Sequence, residues 1–175
     1  MSDALLRTAE AADLPAIQAI YAHHVTHGLG SFEETPPSVE EMTRRWRAVN
    51  EAGLPYIVCA ADDTVVGFAY AGPYRPRPAY RYSVEDSVYV APGHGRHGYG
   101  RQLVAALIER CTTLGYRQML AVIGDRDNRG SIGLHLKLGF REVGHLPSVG
   151  FKLGRWVDVV VMQRPLGDGD GTKPG

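Results

Sequence analysis

The fold is decided by one stretch of the chain, VYVAPGHGRHGYGR at residues 88–101, in which a strand ends, a glycine-rich turn follows and a helix begins. Glycines let the backbone approach an anion with its N–H groups pointing inward. The start of the helix adds unpaired N–H donors and the positive end of its dipole. Arg96 and Arg101 add charge on either side of the turn. The stretch therefore predicts a site for a pyrophosphate group.

Other interpretations compete for this turn. A dinucleotide-binding loop fits poorly, because the segment lies in the middle of the chain and does not follow a first strand. A nucleoside-triphosphate loop is excluded, because no Lys follows a glycine. A glycine-rich turn that only packs a helix against a strand stays open at this point.

Outward from the turn, hydrophobic periodicity predicts strands and helices along the whole chain. The predicted strands are residues 5–8, 56–61, 65–71, 82–90, 118–123, 140–143 and 157–163. Four helices are predicted. The first begins after Asp13, the second begins at the Ser38–Glu41 capping pattern, the third runs from Gly98 to Gly115, and the fourth occupies residues 131–138. This order predicts a mixed α/β sheet with helices on both faces.

Length and composition limit the class of protein. The 175 residues favour one domain, expected at 1–166, followed by a Gly- and Asp-rich tail at 167–175 that we expect to be disordered. Lys plus Arg equals Asp plus Glu at 19 each, which argues against a nucleic-acid or membrane partner. Two cysteines, no signal-peptide pattern and no long apolar run predict a cytoplasmic protein.

Two motifs resemble signatures of the GNAT family of N-acetyltransferases. The turn reads Gly95-Arg96-His97-Gly98-Tyr99-Gly100 and is similar to the coenzyme A loop Gln/Arg-x-x-Gly-x-Gly/Ala. Gly95 departs from that pattern, which removes one side-chain contact and leaves the backbone cradle intact. Downstream, NRGSIGLHLKLGF at residues 128–140 resembles the family run N-x-x-S-x-x-L-[YH]-x-x-L-G-F. The resemblance covers about Leu6 to Gln163 and implies a GNAT fold.

Further segments are similar to the phosphinothricin and methionine sulfoximine/sulfone N-acetyltransferase subfamily. They are AYAGPY at 69–74, SVYV at 87–90, AVIG at 121–124, GFK at 150–152 and WVDV at 156–159. This resemblance implies transfer of the acetyl group of acetyl-CoA to the α-amine of a small amino-acid-like substrate, in a ternary complex and without a metal. Phosphinothricin, methionine sulfoximine, methionine sulfone and L-amino acids are the candidate acceptors, and a homodimer is implied.

The same resemblance implies residue roles. Val88, Tyr89 and Val90 would bind the pantetheine arm, the pyrophosphate would lie against Arg96, His97, Gly98, Tyr99, Gly100 and Arg101, and Asn128 would lie near the thioester. Arg75, Arg77, Glu85, Asp86 and Ser87 match segments that contact the amino-acid substrate. Arginine suits a substrate carboxylate, which it binds in bidentate fashion.

Glu85 occupies the family's general-base position. A protonated α-amine needs a base before it can attack a thioester. Strand alternation puts Glu85, Ser87 and Tyr89 on one face and turns Asp86 to the other, so that Glu85 can face a cleft. A merely solvated carboxylate is the competing interpretation.

Histidines give weaker signals. His135 is the second catalytic candidate, as a proton donor to the departing thiolate, and a histidine that only packs its ring is equally open. The spacing of His23, His24 and His27 matches no metal-ligand pattern. We therefore expect these histidines at a solvated helix end. Two other functions stay open, an acyl-CoA sensor without catalysis and a protein N-terminal acetyltransferase.

Overall fold

A computed structural model describes residues 4–175. The strands are β1 (Leu5–Thr8), β2 (Tyr56–Ala61), β3 (Thr64–Pro73), β4 (Ser83–Val90), β5 (Gln118–Gly124), β6 (Arg141–Lys152) and β7 (Arg155–Pro165). The α-helices are α1 (Leu14–His27), α2 (Val39–Glu51), α3 (Tyr99–Thr113) and α4 (Arg129–Lys137). Short 3₁₀ turns lie at Ala11–Asp13 and Pro78–Tyr80.

The strands form one sheet in the order β1-β2-β3-β4-β5-β7-β6. β4 and β5 are parallel, and the other neighbouring strands are antiparallel. Because β4 reaches β5 through α3, this pair is the strand–helix–strand unit predicted around the glycine-rich turn. The mixed sheet expected from the sequence is confirmed.

Helices cover both faces of the sheet, as predicted. On one face Ile17 of α1 and Met42 of α2 pack with Phe68 of β3. On the other face Leu103 and Leu107 of α3 belong to a second core cluster, which α4 borders with partly buried leucines. Alternation along the strands separates the two clusters, since successive side chains point to opposite faces.

The start of α1 differs from its prediction. The Asp13 side chain makes no cap hydrogen bond to the helix. Both of its oxygens accept from the Arg7 guanidinium at 2.7 Å, and one also accepts from the Glu10 backbone N–H. Asp13 therefore ties the end of β1 to the turn before α1. The Ser38 cap is confirmed, because its hydroxyl accepts from the Glu41 N–H at 3.1 Å.

The last hairpin is longer than the sequence indicated. β6 runs to Lys152, and a turn with positive φ at Leu153 and Gly154 leads into β7. Gly144, Pro147 and Gly150 interrupt the apolar alternation of β6, and its register with β7 shifts twice. Period-2 alternation of apolar residues predicts a strand, and these interruptions break that pattern after residue 143.

The C-terminal residues 167–175 lie in turns beside Arg117. The Arg117 guanidinium donates to the carbonyls of Gly169 and Lys173 at 3.3 Å and to the Thr172 hydroxyl at 3.1 Å. The disordered tail and the domain boundary at 166 stay predictions. Within residues 4–175 no helix combines the length and the hydropathy that a membrane crossing needs.

Candidate active site

A gap opens in the sheet where β4 and β5 separate. The two strands pair only over Ser83–Glu85 and Gln118–Leu120. Beyond that point no strand within residues 4–175 pairs with the β4 edge that faces β5. Backbone groups along an unpaired strand edge are free to bind an extended ligand as an added strand would.

The register with β3 determines which β4 groups face this gap. Ala91 donates its N–H to the carbonyl of Val66 at 2.8 Å. Hydrogen-bonded and non-hydrogen-bonded pairs alternate in an antiparallel ladder, so Val88 and Val90 form non-hydrogen-bonded pairs with Ala69 and Gly67. Their N–H and C=O groups therefore point away from β3 and into the gap.

The glycine-rich turn continues from this open edge into α3. Gly93, Arg96 and Gly98 have φ of 79°, 67° and 83°, in the left-handed region. A Cβ at Gly95 would meet nothing within 4 Å, so the turn is open on that side. The first N–H groups of α3 have no intrahelical acceptor, and the helix dipole is positive there. The turn can therefore bind an anion with main-chain donors.

These features line one continuous cavity of about 1040 Å³. We call its part along Val88–Val90, the turn and the start of α3 the donor end. The part formed by Tyr21, Ser31–Glu33, Glu85 and residues 121–124 is the acceptor end. Most predicted site residues line the cavity: Glu85, Asp86, Ser87, Val88, Tyr89, Val90, Arg96, Gly98, Tyr99, Gly100, Arg101, Asn128 and His135.

Glu85 lies where the two ends meet. It is partly buried and shares its face of β4 with Ser87 and Tyr89, and the Tyr89 ring packs at 5.0 Å from that of Tyr21. Burial raises the pKa of Glu85, the negative charge of Asp86 raises it further, and Arg75 opposes both. A carboxylate with a raised pKa in a cleft is suited to accept a proton near neutral pH.

Asp86 and His135 form a buried pair on the opposite face of β4. His135 Nε2 lies 3.1 Å from Asp86 Oδ2, and His135 Nδ1 lies 2.7 Å from the Ser131 carbonyl oxygen. Because both ring nitrogens are engaged, neither is directed at an acyl group in the cavity. The role of His135 as a proton donor to the thiolate stays a prediction.

Asn128 lies at the start of α4. Its Oδ1 accepts from the Ser131 N–H at 3.2 Å, so the side chain caps the helix that carries His135. This satisfies an orphan N–H of the first turn. The residue lines the cavity, as the predicted contact with the cofactor requires.

Three predicted residues do not line the cavity. Arg75 and Arg77 are exposed in the loop after β3, although Arg75 is near enough to lower the pKa of Glu85. His97 is exposed and stacks on Tyr99 with ring centroids 5.6 Å apart. Their predicted ligand contacts stay predictions.

Sequence analysis did not assign the polar groups of the acceptor end. The Tyr21 hydroxyl donates to Glu33 Oε1 at 2.6 Å, and Arg45 donates to the same carboxylate. Burial, followed by the hydrogen bond to Glu33, raises the pKa of Tyr21 to about 12. Lys152 is buried and donates to the Ser31 carbonyl at 2.6 Å, which fastens the 28–38 loop to β6.

Phe32 lies against two glycines. A Cβ at Gly150 would overlap the Phe32 ring, and a Cβ at Gly124 would overlap the Leu29 carbonyl and crowd the ring. The glycines therefore leave room for the loop to cross the end of β5. No local signal marks this contact, because the three residues are far apart in the chain.

His24 was wrongly expected at a solvated helix end. It is partly buried, lines the cavity, and has its Nε2 2.8 Å from the Val90 carbonyl oxygen. Burial lowers the pKa of His24, against the effect of this hydrogen bond. The helical spacing of Ile17 and Tyr21 continues to His24, so this spacing predicts that His24 lies on the buried face of α1.

No group of three or more metal-ligating side chains occurs within the described part of the chain, residues 4–175. The donors that line the cavity include backbone N–H groups, three arginines (Arg96, Arg101 and Arg129) and Lys137. This set suits a phosphate-bearing ligand with a long polar arm, such as a coenzyme A thioester.

Comparisons with known proteins agree with this geometry. The model of the Acetyltransferase (GNAT) family matches residues 17–140. The chain is 55% identical over 162 residues to a phosphinothricin N-acetyltransferase of Alcaligenes faecalis, covering 93% of this chain and 82% of that relative. It is 41% identical over 164 residues to an L-methionine sulfoximine/L-methionine sulfone acetyltransferase of Pseudomonas paraeruginosa, covering 93% and 95%.

Among solved structures, the fold matches a phosphinothricin acetyltransferase from Sinorhizobium meliloti in complex with AcCoA. The TM-score is 0.96 at 47% identity, and the match covers 100% of this chain and 94% of that one. Family model, relatives and fold all agree with the two motifs at residues 95–100 and 128–140. The chain is an acyltransferase that belongs to the GNAT family of acetyltransferases.

Proposed function

We propose that the protein transfers the acetyl group of acetyl-CoA to the α-amine of a small amino-acid-like substrate by direct attack in a ternary complex. The observation that carries this proposal is Glu85, a partly buried carboxylate beside the open edge of β4. The similar enzymes that act on phosphinothricin and methionine sulfoximine supply the substrate class.

Acetyl-CoA fits the donor end of the cavity. The outward C=O of Val88 and the outward N–H of Val90 would bind the pantetheine arm as an added strand. The pyrophosphate would lie on the turn and the start of α3, with Arg96 and Arg101 adding charge. The bound thioester supplies an activated acetyl group next to Glu85.

The chemistry requires a neutral amine and a donor for the carbonyl oxygen. Glu85 accepts the proton that an ammonium group must lose before its nitrogen attacks. The Val88 N–H, directed into the gap, is a donor for the negative charge that develops on the oxygen. Direct attack by the amine needs no cysteine nucleophile. Cys59 and Cys111 are also poorly suited to that role, because both are buried and burial raises the pKa of each thiol.

The acceptor's carboxylate is assigned to the loop after β3. Gly72 lies opposite Glu85 in the register, so the chain that continues to Arg75 and Arg77 leaves the sheet beside the base. Both guanidinium groups are exposed and available to a ligand. A bidentate contact from either one would bring the α-amine towards Glu85.

A second copy of the chain would cover the hairpin of β6 and β7. Large apolar side chains of this hairpin are exposed, with Trp156 66%, Phe151 57% and Val149 55% accessible. Contiguous apolar surface of this kind marks interaction sites. We expect sedimentation to show a dimer that Trp156→Gln weakens. Leu114→Gln, at an exposed leucine on the end of α3, should leave the dimer intact.

The cytoplasm is the proposed compartment, because the two cysteines are unpaired and a reducing environment keeps them so. The acyl-CoA sensor and the protein N-terminal acetyltransferase are not favoured. The chain aligns over most of its length with acetyltransferases of small amino-acid analogues.

A thiol-release assay tests the proposal. Acetyl-CoA is incubated with phosphinothricin, methionine sulfoximine, methionine sulfone, L-methionine and a peptide with a free N-terminus. We expect thiol release with at least one of the small compounds and little with the peptide. Binding of acetyl-CoA without release for any compound would favour the sensor, and release with the peptide alone would favour the N-terminal acetyltransferase.

A further inference from the structure

The pair formed by Asp86 and His135 is the most deeply buried pair of titratable groups at the cavity. Asp86 is 6% exposed and His135 is 1% exposed. The His135 ring also packs edge-on against Phe140, with ring centroids 4.9 Å apart. A charge buried this deeply is tolerated only with a partner, so the protonation of the two groups must be linked.

The hydrogen bonds around His135 fix its proton count. The Ser131 carbonyl can only accept, so Nδ1 must carry a hydrogen. An ionised Asp86 can also only accept, so the contact at Nε2 contains one proton that the two groups share. Burial disfavours the imidazolium, but the hydrogen bond to Asp86 and its charge outweigh burial and raise the pKa of His135. Both ring nitrogens are engaged, so His135 has no nitrogen left for the substrate.

Glu85 is adjacent to Asp86 on β4, and the charge of Asp86 raises the pKa of Glu85. The titratable and charged groups around Glu85 are Tyr70 of β3, Arg75 of the following loop, and Asp86. Around the pair itself lie Ser131 of α4 and Cys111 of α3, whose pKa is raised to about 12 by burial first and by the Asp86 charge second. Asp86 is thus the one negative neighbour among the groups that act on Glu85.

We infer that His135 is a positioning residue, which holds a proton against Asp86 and so limits the negative charge that Asp86 presents to Glu85. The same contact fastens α4, with Asn128 at its start, to the strand that carries the base. This inference rests on the proposed function, because it takes Glu85 as the base. His135 would then act from the face of β4 that is opposite to the face where the amine binds.

The first test is the pH profile of kcat/KM, whose acid limb reports the ionisation of Glu85 in the free enzyme. Asp86→Asn removes the negative neighbour that raises the pKa of Glu85. His135 loses its proton at the same time, but the Asp86 charge is on the residue next to Glu85, so the limb should still move to lower pH. His135→Gln leaves the Asp86 carboxylate without its cation, so the limb should move to higher pH. A loss of packing alone would lower kcat/KM at every pH without opposite shifts.

The surface offers a matched control. His145 Nε2 lies 2.8 Å from Asp158 Oδ2 in a pair that is exposed on the β6–β7 hairpin. His145→Gln should leave the acid limb where it is in the unmodified enzyme. If neither Asp86→Asn nor His135→Gln moves the limb, or both move it in the same direction, the inference is overturned.

A second measurement needs no activity. In the full-length protein with ¹⁵N-labelled histidine, both ring nitrogens of His135 should carry protons at pH 7, and one should lose its proton in Asp86→Asn. A neutral His135 ring at pH 7 that is unchanged in Asp86→Asn would overturn the shared proton. If Glu85→Gln keeps the acid limb, the proposed base is wrong, whereas the nitrogen signals still report on the pair.

Discussion

The donor end of the cavity comes from one continuous segment, the strand, turn and helix start at residues 88–101, and α4 lines the cavity beside it. The acceptor end is assembled from α1, the 28–38 loop, Glu85 and the end of β5. At the donor end the ligand would meet main-chain groups whose direction follows from local geometry. At the acceptor end it would meet side chains such as Tyr21, Glu33 and Phe32, brought together by the fold.

This difference explains how a common donor site can serve different acceptors. Main-chain donors and glycines can bind any coenzyme A thioester, because they contact the phosphates and the pantetheine arm and not the acyl group. Side chains that are distant in sequence can change independently of that segment. The two ends should therefore respond separately to substitution, and Glu85, where they meet, should affect catalysis more than the binding of either ligand.

The largest effect is expected for Glu85→Gln. Loss of a general base typically costs about 10²–10⁴-fold in rate, and the neutral amide cannot accept the amine proton. Steady-state kinetics should show this fall in kcat, while calorimetry shows unchanged binding of CoA. Glu109→Gln, at an exposed glutamate on α3, is the control and should keep full activity. Normal turnover by Glu85→Gln would show that another group is the base.

A change confined to the acceptor end comes from Gly150→Ala. The added methyl group overlaps the Phe32 ring, which must move. Because Phe32 lines the acceptor end, its displacement should weaken amine binding and raise the KM for the amine roughly tenfold, about 1.4 kcal/mol, while the KM for acetyl-CoA stays the same. Gly144→Ala is the matched control on the same strand, where a Cβ meets only Val161 at 3.8 Å. Equal effects of both variants would contradict a role for Phe32.

The smallest effect is expected at the donor end, from Gly98→Ala. Gly98 has φ of 83° just before α3, and a left-handed backbone costs a residue with a Cβ about 1–2 kcal/mol. The KM for acetyl-CoA should rise roughly fivefold with the amine KM unchanged. Gly98→Asn should be milder, because Asn tolerates this conformation. A rise in the amine KM instead would mean that the two ends are not independent.

The pH dependence of the unmodified enzyme follows from Glu85. Its pKa is raised by burial and by Asp86, so the carboxylate form that accepts a proton is lost as the pH falls through a value above that of an ordinary glutamate. We expect kcat/KM to fall on the acid side. A flat profile down to the usual glutamate range would contradict the raised pKa.

Several features were predictable because they are local. The Ser38 cap, the elements around the turn and the alternation along β4 depend on neighbouring residues, and all are confirmed. Asp13 was misjudged because Arg7, across the turn, binds its carboxylate. The length of β6 was missed because glycines and Pro147 mask its alternation.

The amino-acid sequence by itself determined the class of fold, the family and the donor end. Each of these depends on short runs of residues whose backbone preferences and spacing are read directly from the chain. Only the tertiary structure decided that His24 reaches the Val90 carbonyl, that Phe32 lies on Gly124 and Gly150, and that Asp86 and His135 form a buried pair. These contacts join segments far apart in the chain, and their geometry and burial arise only when the sheet and helices pack.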